Sequence, residues 1–239
     1  MFFIAFLYNV RRRKPNTERK VLILRNVKKK FYTSLGILLA FVVWTVAVRF
    51  LDVQAIGPNG SRVGFATING FLHEKIGVYM PLYVITDWLG LVPVAFMFGF
   101  AVLGLVQWIK RRRFLKVDGS ILILGCFYIL ILLVYLFFET VIINYRPVWI
   151  DGYLEASYPS STTLLVGCVM PTSILQLQDR IQNKKLKNSI TCVMVLFIGF
   201  MVFGRLVSGV HWFTDIVGGA LLSAGLVALY GAFCKLFDK

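Results

Sequence analysis

Six stretches of this chain are each apolar over roughly the 20 residues that a helix needs to cross a bilayer core. They lie at about 33–51, 86–109, 120–143, 162–178, 190–207 and 214–235. The fold class that follows is an all-α polytopic membrane protein of about six transmembrane helices. The fourth stretch contains Pro171 and Gln176, and the neighbouring helices of a polytopic bundle can absorb both. Composition agrees: 58% of the 239 residues are hydrophobic and 15% are charged, which excludes a soluble domain of ordinary make-up.

The formal charge of +15 would suggest nucleic acid in a soluble protein, but here the basic residues sit in short blocks between the apolar runs. That pattern reports topology instead. In a six-span arrangement, residues 1–30, the 110–116 and 179–188 loops and the C-terminal tail fall on one side and hold 21 of the 26 Lys and Arg. The positive-inside rule makes that side, and both termini, cytoplasmic. Arg49, Arg62, Lys75, Arg146 and Arg205 are left outside or at the outer interface. Residues 1–30 read as a basic cytoplasmic lead-in lying on the membrane surface, and 31–239 as a six-helix membrane domain. The apolar Met1–Tyr8 precedes the Arg11–Lys14 block, the reverse of a signal peptide. The expected location is a bacterial cytoplasmic membrane.

Charge near the ends of such spans needs a reason. The stretch Arg205-Leu-Val-Ser-Gly-Val-His211-Trp-Phe-Thr-Asp215 concentrates it between the last two apolar runs. A helix from Trp212 onward would put His211 and Asp215 one turn apart on one face, so the carboxylate could hold one imidazole nitrogen and leave the other free. Gly209 permits a sharp turn that brings Arg205 back towards His211. The helix start adds partial positive charge, and the set suits an anion such as phosphate.

The positive-inside assignment puts this stretch on the outer face together with loops 52–85 and 144–161. Loop 144–161 offers Arg146, a bidentate donor, and ends in Pro159-Ser160-Ser161-Thr162. Those three hydroxyl residues are good helix caps whose side chains and free backbone N–H groups can hold phosphate oxygens. Segment 52–85, with its Gly57-Pro58-Asn59-Gly60 turn, reads as an amphipathic piece on the membrane surface that shapes a lipid entrance.

Arg146-Pro147, then Pro159-Ser160-Ser161-Thr162, then Arg205-x5-His211-x3-Asp215, each at the outer end of a span, resembles the type 2 phosphatidic acid phosphatase superfamily of membrane lipid phosphatases and phosphotransferases. The resemblance covers the spans from about residue 86 onward, with Gly204 standing where a serine is usual. It implies that His211 attacks phosphorus to give a phosphohistidine, oriented by Asp215, while Arg146, Ser160 and Arg205 bind the phosphoryl oxygens. It implies no metal and no cofactor. A neutral imidazole is a competent nucleophile, and fixed cationic donors stabilise the equatorial oxygens.

Two positions depart from the family pattern. The lysine that usually opens the first motif is Glu139, read here as an ion-pair partner that positions Arg146 or Arg205. The histidine that usually closes the second motif, the family's general acid, is Thr162. Losing such an acid costs roughly 10²–10⁴ in rate, and threonine cannot replace it near neutral pH. The loss matters least when phosphate leaves from a diphosphate. The chain's other histidine, His73, is an accessory candidate reaching over from segment 52–85, with Tyr145, Tyr158 and Glu155 as weaker ones.

The four cysteines fall inside predicted spans without paired spacing and read as packing residues. Gly218-Gly219-Ala220 in the last span would permit close helix contact. The function that emerges is hydrolysis or transfer of a phosphoryl group from a membrane lipid, a lipid phosphate or prenyl diphosphate, at the outer face, with no nucleic-acid partner. The alternative is a relative that binds a lipid phosphate without turnover. A transporter or scaffold is less favoured because no span centre carries a charge.

Overall fold

In the computed structural model, which describes residues 17–237, one long helix is half buried and rich in polar residues. The chain forms α1 (Thr17–Phe50), α2 (Ala66–Ile76), α3 (Met80–Leu89), α4 (Leu91–Arg111), α5 (Gly119–Thr140), α6 (Ser161–Arg180), α7 (Lys184–Val207) and α8 (Phe213–Phe237). Ten of the 20 residues of α6 are buried, Thr172, Ser173 and Gln176 among them. A helix sheathed by its neighbours need not present an apolar surface to lipid, provided its polar groups find partners. Thr172 donates to the Cys168 carbonyl, 2.8 Å away, and Gln176 Nε2 donates to the Tyr230 hydroxyl. Pro171 lies within α6 without ending it.

Five other helical stretches are, among the described residues, long and apolar enough to cross a membrane: Leu24–Phe50, Met80–Arg111, Gly119–Thr140, Lys184–Val207 and Phe213–Leu236. The predicted spans therefore all correspond to helices, with two changes at their ends. Residues 17–30, expected as a surface-lying lead-in, instead continue the first helix without a break; the remainder of that lead-in lies outside the described residues. The second span starts earlier than expected, because α3 and α4 are joined through Gly90, itself helical at φ −59° and ψ −18°. Only α2 of the 52–85 segment is a separate short helix. It follows a turn over Gly57–Gly60 that is closed by pairing between Gln54 and Val63.

Small residues set the packing around α8. Its Gly225 lies against Leu38 of α1, and the Ser34 hydroxyl donates to the Gly225 carbonyl at 2.8 Å. A Cβ on Gly218 would stand 2.6 Å from the ring of Tyr158, and one on Gly219 would stand 3.0 Å from the Ser160 carbonyl oxygen. The run read as a close-packing surface thus lets the loop before α6 settle onto α8. Tyr158, fully buried there, shares a 2.7 Å hydrogen bond with Thr45 and stacks on Phe41. At the other end of the bundle, Arg180 pairs with Gln176, and Arg111 with Asp118 at 2.7 Å. The loops before α6 and α8 and the α2–α3 segment meet at one end.

Candidate active site

His211 sits in the short connection between α7 and α8. α7 ends at Val207 and Ser208 caps it, its hydroxyl donating to the Arg205 carbonyl at 2.9 Å. Gly209 then takes φ +70° with its Cα packed on Gly77, where an added Cβ would come 2.0 Å from the Gly77 carbonyl oxygen. Only glycine fits that close approach in the left-handed region. The turn delivers His211 and Trp212 just ahead of the α8 N-terminus. Trp212 is pinned by its indole N–H, which donates to the Tyr145 carbonyl at 2.7 Å.

Asp215, in the first turn of α8, does not reach the imidazole directly. Its Oδ2 is 4.0 Å from His211 Nδ1. The sequence suggested a direct carboxylate–imidazole contact; the structure places Ser157 between them. The Ser157 hydroxyl donates to Asp215 Oδ2 at 2.5 Å and lies 3.0 Å from His211 Nδ1. A serine has one hydroxyl hydrogen, so with that hydrogen on the carboxylate its oxygen accepts from Nδ1–H. The lone pair is then on Nε2, which is buried without a hydrogen-bond partner. Asp215 is further held by Asn144 Nδ2 at 3.2 Å and by the Trp212 backbone N–H at 3.0 Å. The second of these caps α8 with the same carboxylate.

The imidazole is held well below its ordinary pKa, first by burial and then by the guanidiniums of Arg146 and Arg205. Neutral His211 is the form in which Nε2 can attack an electrophile.

Arg205 points from the last turn of α7 into a cluster built by α3 and α6. Its Nε and Nη2 donate to Thr162 Oγ1 at 2.9 and 2.6 Å, and Nη2 also meets Asp87 Oδ1 at 3.1 Å. The guanidinium carbon stands over the ring of Tyr83, 4.9 Å from its centre. The Arg146 guanidinium carbon is 6.0 Å from the centre of the same ring. Its Nε is 3.0 Å from Glu155 Oε2, an ion pair by distance that lacks hydrogen-bond alignment, and its Nη1 is buried with no partner.

The other predicted residues fall in different places. Ser160 is the N-cap of α6, and its fully buried oxygen accepts from the Thr163 N–H at 3.5 Å and hydroxyl at 3.1 Å. Ser161 faces away from the arginines, lining a small cavity with Glu139, Tyr135 and Ser157. Thr162, in the position where a proton donor was sought, is an acceptor committed to Arg205. Glu139 pairs with neither arginine: α5 stops at Thr140, and the 144–156 hairpin pairs Arg146 N with the Glu155 carbonyl, so Glu155 takes the role expected of Glu139. His73 packs on Trp212 with ring centres 5.3 Å apart, and shares a small cavity with His211 that neither arginine lines.

Sequence reasoning left out Ser157, Asp87 and Tyr83. Ser157 stood in a hydroxyl-rich loop with nothing to separate it from its neighbours. Asp87 and Tyr83 are four residues apart, a one-turn spacing that puts them on a single face of α3, but only the fold shows that this face meets Arg205.

The sequence profile of the PAP2 superfamily matches residues 137–235. No curated protein matches the chain. Among solved structures, it is similar to the crystal structure of a transmembrane PAP2 type phosphatidylglycerolphosphate phosphatase from Bacillus subtilis. That match has a TM-score of 0.58 and 18% identity, and covers 87% of this chain and 98% of the other. With several helices apolar enough to span a bilayer and the fold of a transmembrane protein, this is an integral membrane protein. The part of it that carries all three constellations, residues 137–235, belongs to the PAP2 superfamily.

Proposed function

We propose that the protein is a membrane lipid phosphatase or phosphotransferase that works through a phosphohistidine at His211, on a lipid phosphate or prenyl diphosphate at the extracytoplasmic face. The observation that carries this reading is a pair of buried atoms without partners, His211 Nε2 and Arg146 Nη1, beside the buried guanidinium of Arg205. Buried polar groups are almost always satisfied. A nucleophilic nitrogen and unpaired cationic donors at one place suit a phosphoryl group, whose transfer depends on positioning and on charge stabilisation of its equatorial oxygens. Asp215 and Ser157 would orient the imidazole, Arg146 and Arg205 would bind phosphoryl oxygens, and Thr162 would hold Arg205. Family membership and the fold of a transmembrane phosphatase support the class of reaction.

One observation favours a second reading. Thr162 occupies the position of the usual general acid and is committed to Arg205, so the site could bind a lipid phosphate without turning it over. The test is phosphate release by purified protein from phosphatidic acid and from a long prenyl diphosphate, with metal chelated, comparing wild type with His211→Ala. Release that disappears in the variant supports the histidine enzyme. No release, with lipid-phosphate binding that is lost on Arg205→Ala, supports the binding protein.

A further inference from the structure

Phosphoryl transfer from an alkyl ester leaves an alkoxide that must take up a proton as it departs, and the usual donor position is closed. Thr162 presents its oxygen to Arg205 as an acceptor. The remaining acids around the site are engaged or face elsewhere. Asp87 and Glu155 are ion-paired to the two arginines. Tyr158 is buried against Thr45. Tyr145 neighbours Arg146 on an extended segment, so the two side chains point to opposite faces. His73 meets His211 only through a cavity that neither arginine lines.

Tyr83 is the exception. It is partly exposed, it comes from α3 rather than from any of the three motifs, and its ring lies over both guanidiniums, 4.9 Å from Arg205 Cζ and 6.0 Å from Arg146 Cζ. No hydrogen bond from its hydroxyl to another described residue is formed. A phenol is a much stronger acid than an aliphatic alcohol such as the Thr162 hydroxyl.

Building on the phosphohistidine reading, we propose that Tyr83 is the catalytic proton donor to the leaving group, in place of the histidine absent at position 162. In the first step the His211 Nε2 lone pair forms the N–P bond, the bond from phosphorus to the leaving oxygen breaks, and the phenolic proton goes to that oxygen. The tyrosinate is held between Arg146 and Arg205. In the second step a water attacks the phosphohistidine, the N–P bond breaks back to Nε2, and the water's proton returns to the tyrosinate. The donor is thus regenerated, and no further reactant is required.

The test is Tyr83→Phe, which keeps the ring over Arg205 and removes only the hydroxyl. Its kcat/KM is compared with wild type on two substrates: phosphatidic acid, whose alkoxide needs a proton, and an aryl phosphate, whose phenolate leaves without one. The expected result is a loss of about 10²-fold or more on phosphatidic acid against about threefold or less on the aryl phosphate. The alkaline limb of the phosphatidic acid profile should be lost with it. Equal losses on both substrates would make Tyr83 a structural wall, and undiminished phosphatidic acid hydrolysis would assign the proton elsewhere; either overturns the proposal. His211→Ala run in parallel separates the two readings: if it still hydrolyses both substrates, the phosphohistidine reading fails whatever Tyr83→Phe does. If wild type hydrolyses neither, the reading and this inference fall together.

Discussion

Ser157→Ala removes one oxygen atom from the centre of the candidate site. In the intact protein that oxygen donates to Asp215 Oδ2 at 2.5 Å and sits 3.0 Å from His211 Nδ1, while the carboxylate itself is 4.0 Å from the ring. Without it, Nδ1–H loses its side-chain acceptor and the Asp215 carboxylate keeps only Asn144 and the Trp212 N–H. Leaving a buried donor unpaired costs about 1–3 kcal/mol. No group then fixes the proton on Nδ1 or the direction of the Nε2 lone pair, since Nε2 has no partner either. At about 1.4 kcal/mol per tenfold, losing that orientation should lower kcat/KM on either lipid by roughly 10- to 100-fold. The assay is phosphate release by Ser157→Ala, Asp215→Ala and the double variant, each checked for thermal stability in detergent. If the carboxylate acts through the hydroxyl, the double variant is little worse than the worse single one, since residues in one network are not additive. Unimpaired Ser157→Ala, or single losses that simply multiply, would refute the relay.

Two further expectations concern stability. Gly209→Ala should lower the thermal midpoint well beyond Gly60→Ala: both glycines have positive φ, but only at Gly209 does the new Cβ collide with backbone, 2.0 Å from the Gly77 oxygen, whereas nothing lies within 4 Å at Gly60. A left-handed alanine alone costs about 1–2 kcal/mol, so equal midpoint shifts would count against the packing of that turn. For pH, His211 is depressed by burial and by the two guanidiniums, so below the ordinary imidazole value of about 6.5 the unfolded chain takes up a proton that the folded one refuses. His211 by itself therefore leaves stability unchanged above that pH and lowers it as pH falls below. Melting curves from pH 7.5 to 5 should drop more steeply for wild type than for His211→Ala, and parallel curves would contradict the burial.

The departures from the family pattern look different once the side chains are placed. Glu139 and Thr162 appeared as losses, one of a cation and one of an acid. In the fold, Thr162 binds Arg205 through two nitrogens, Asp87 covers the same guanidinium, and Glu155 covers Arg146. Both arginines are fixed by groups far from them along the chain or outside the three motifs.

Much of the architecture is legible without coordinates, because lipid leaves a spanning segment little choice: twenty apolar residues have to satisfy their backbone internally, so each run is a helix wherever it packs. The same holds for Gly209 before a helix start and for the small-residue run on α8, where backbone approach depends on the missing side chain. The half-buried α6 could be placed for the same reason, although only the bundle shows that its neighbours bury its polar groups. What the sequence could not decide is who meets whom at the site end. His211 and Asp215 are separated by four residues, and that spacing invites a direct contact. The Ser157 hydroxyl enters between them from 54 positions earlier in the chain. Arg205 finds Asp87 across 118 positions. Such partners are set by how loops and α3 pack against the ends of distant helices, and local periodicity carries no information about that packing.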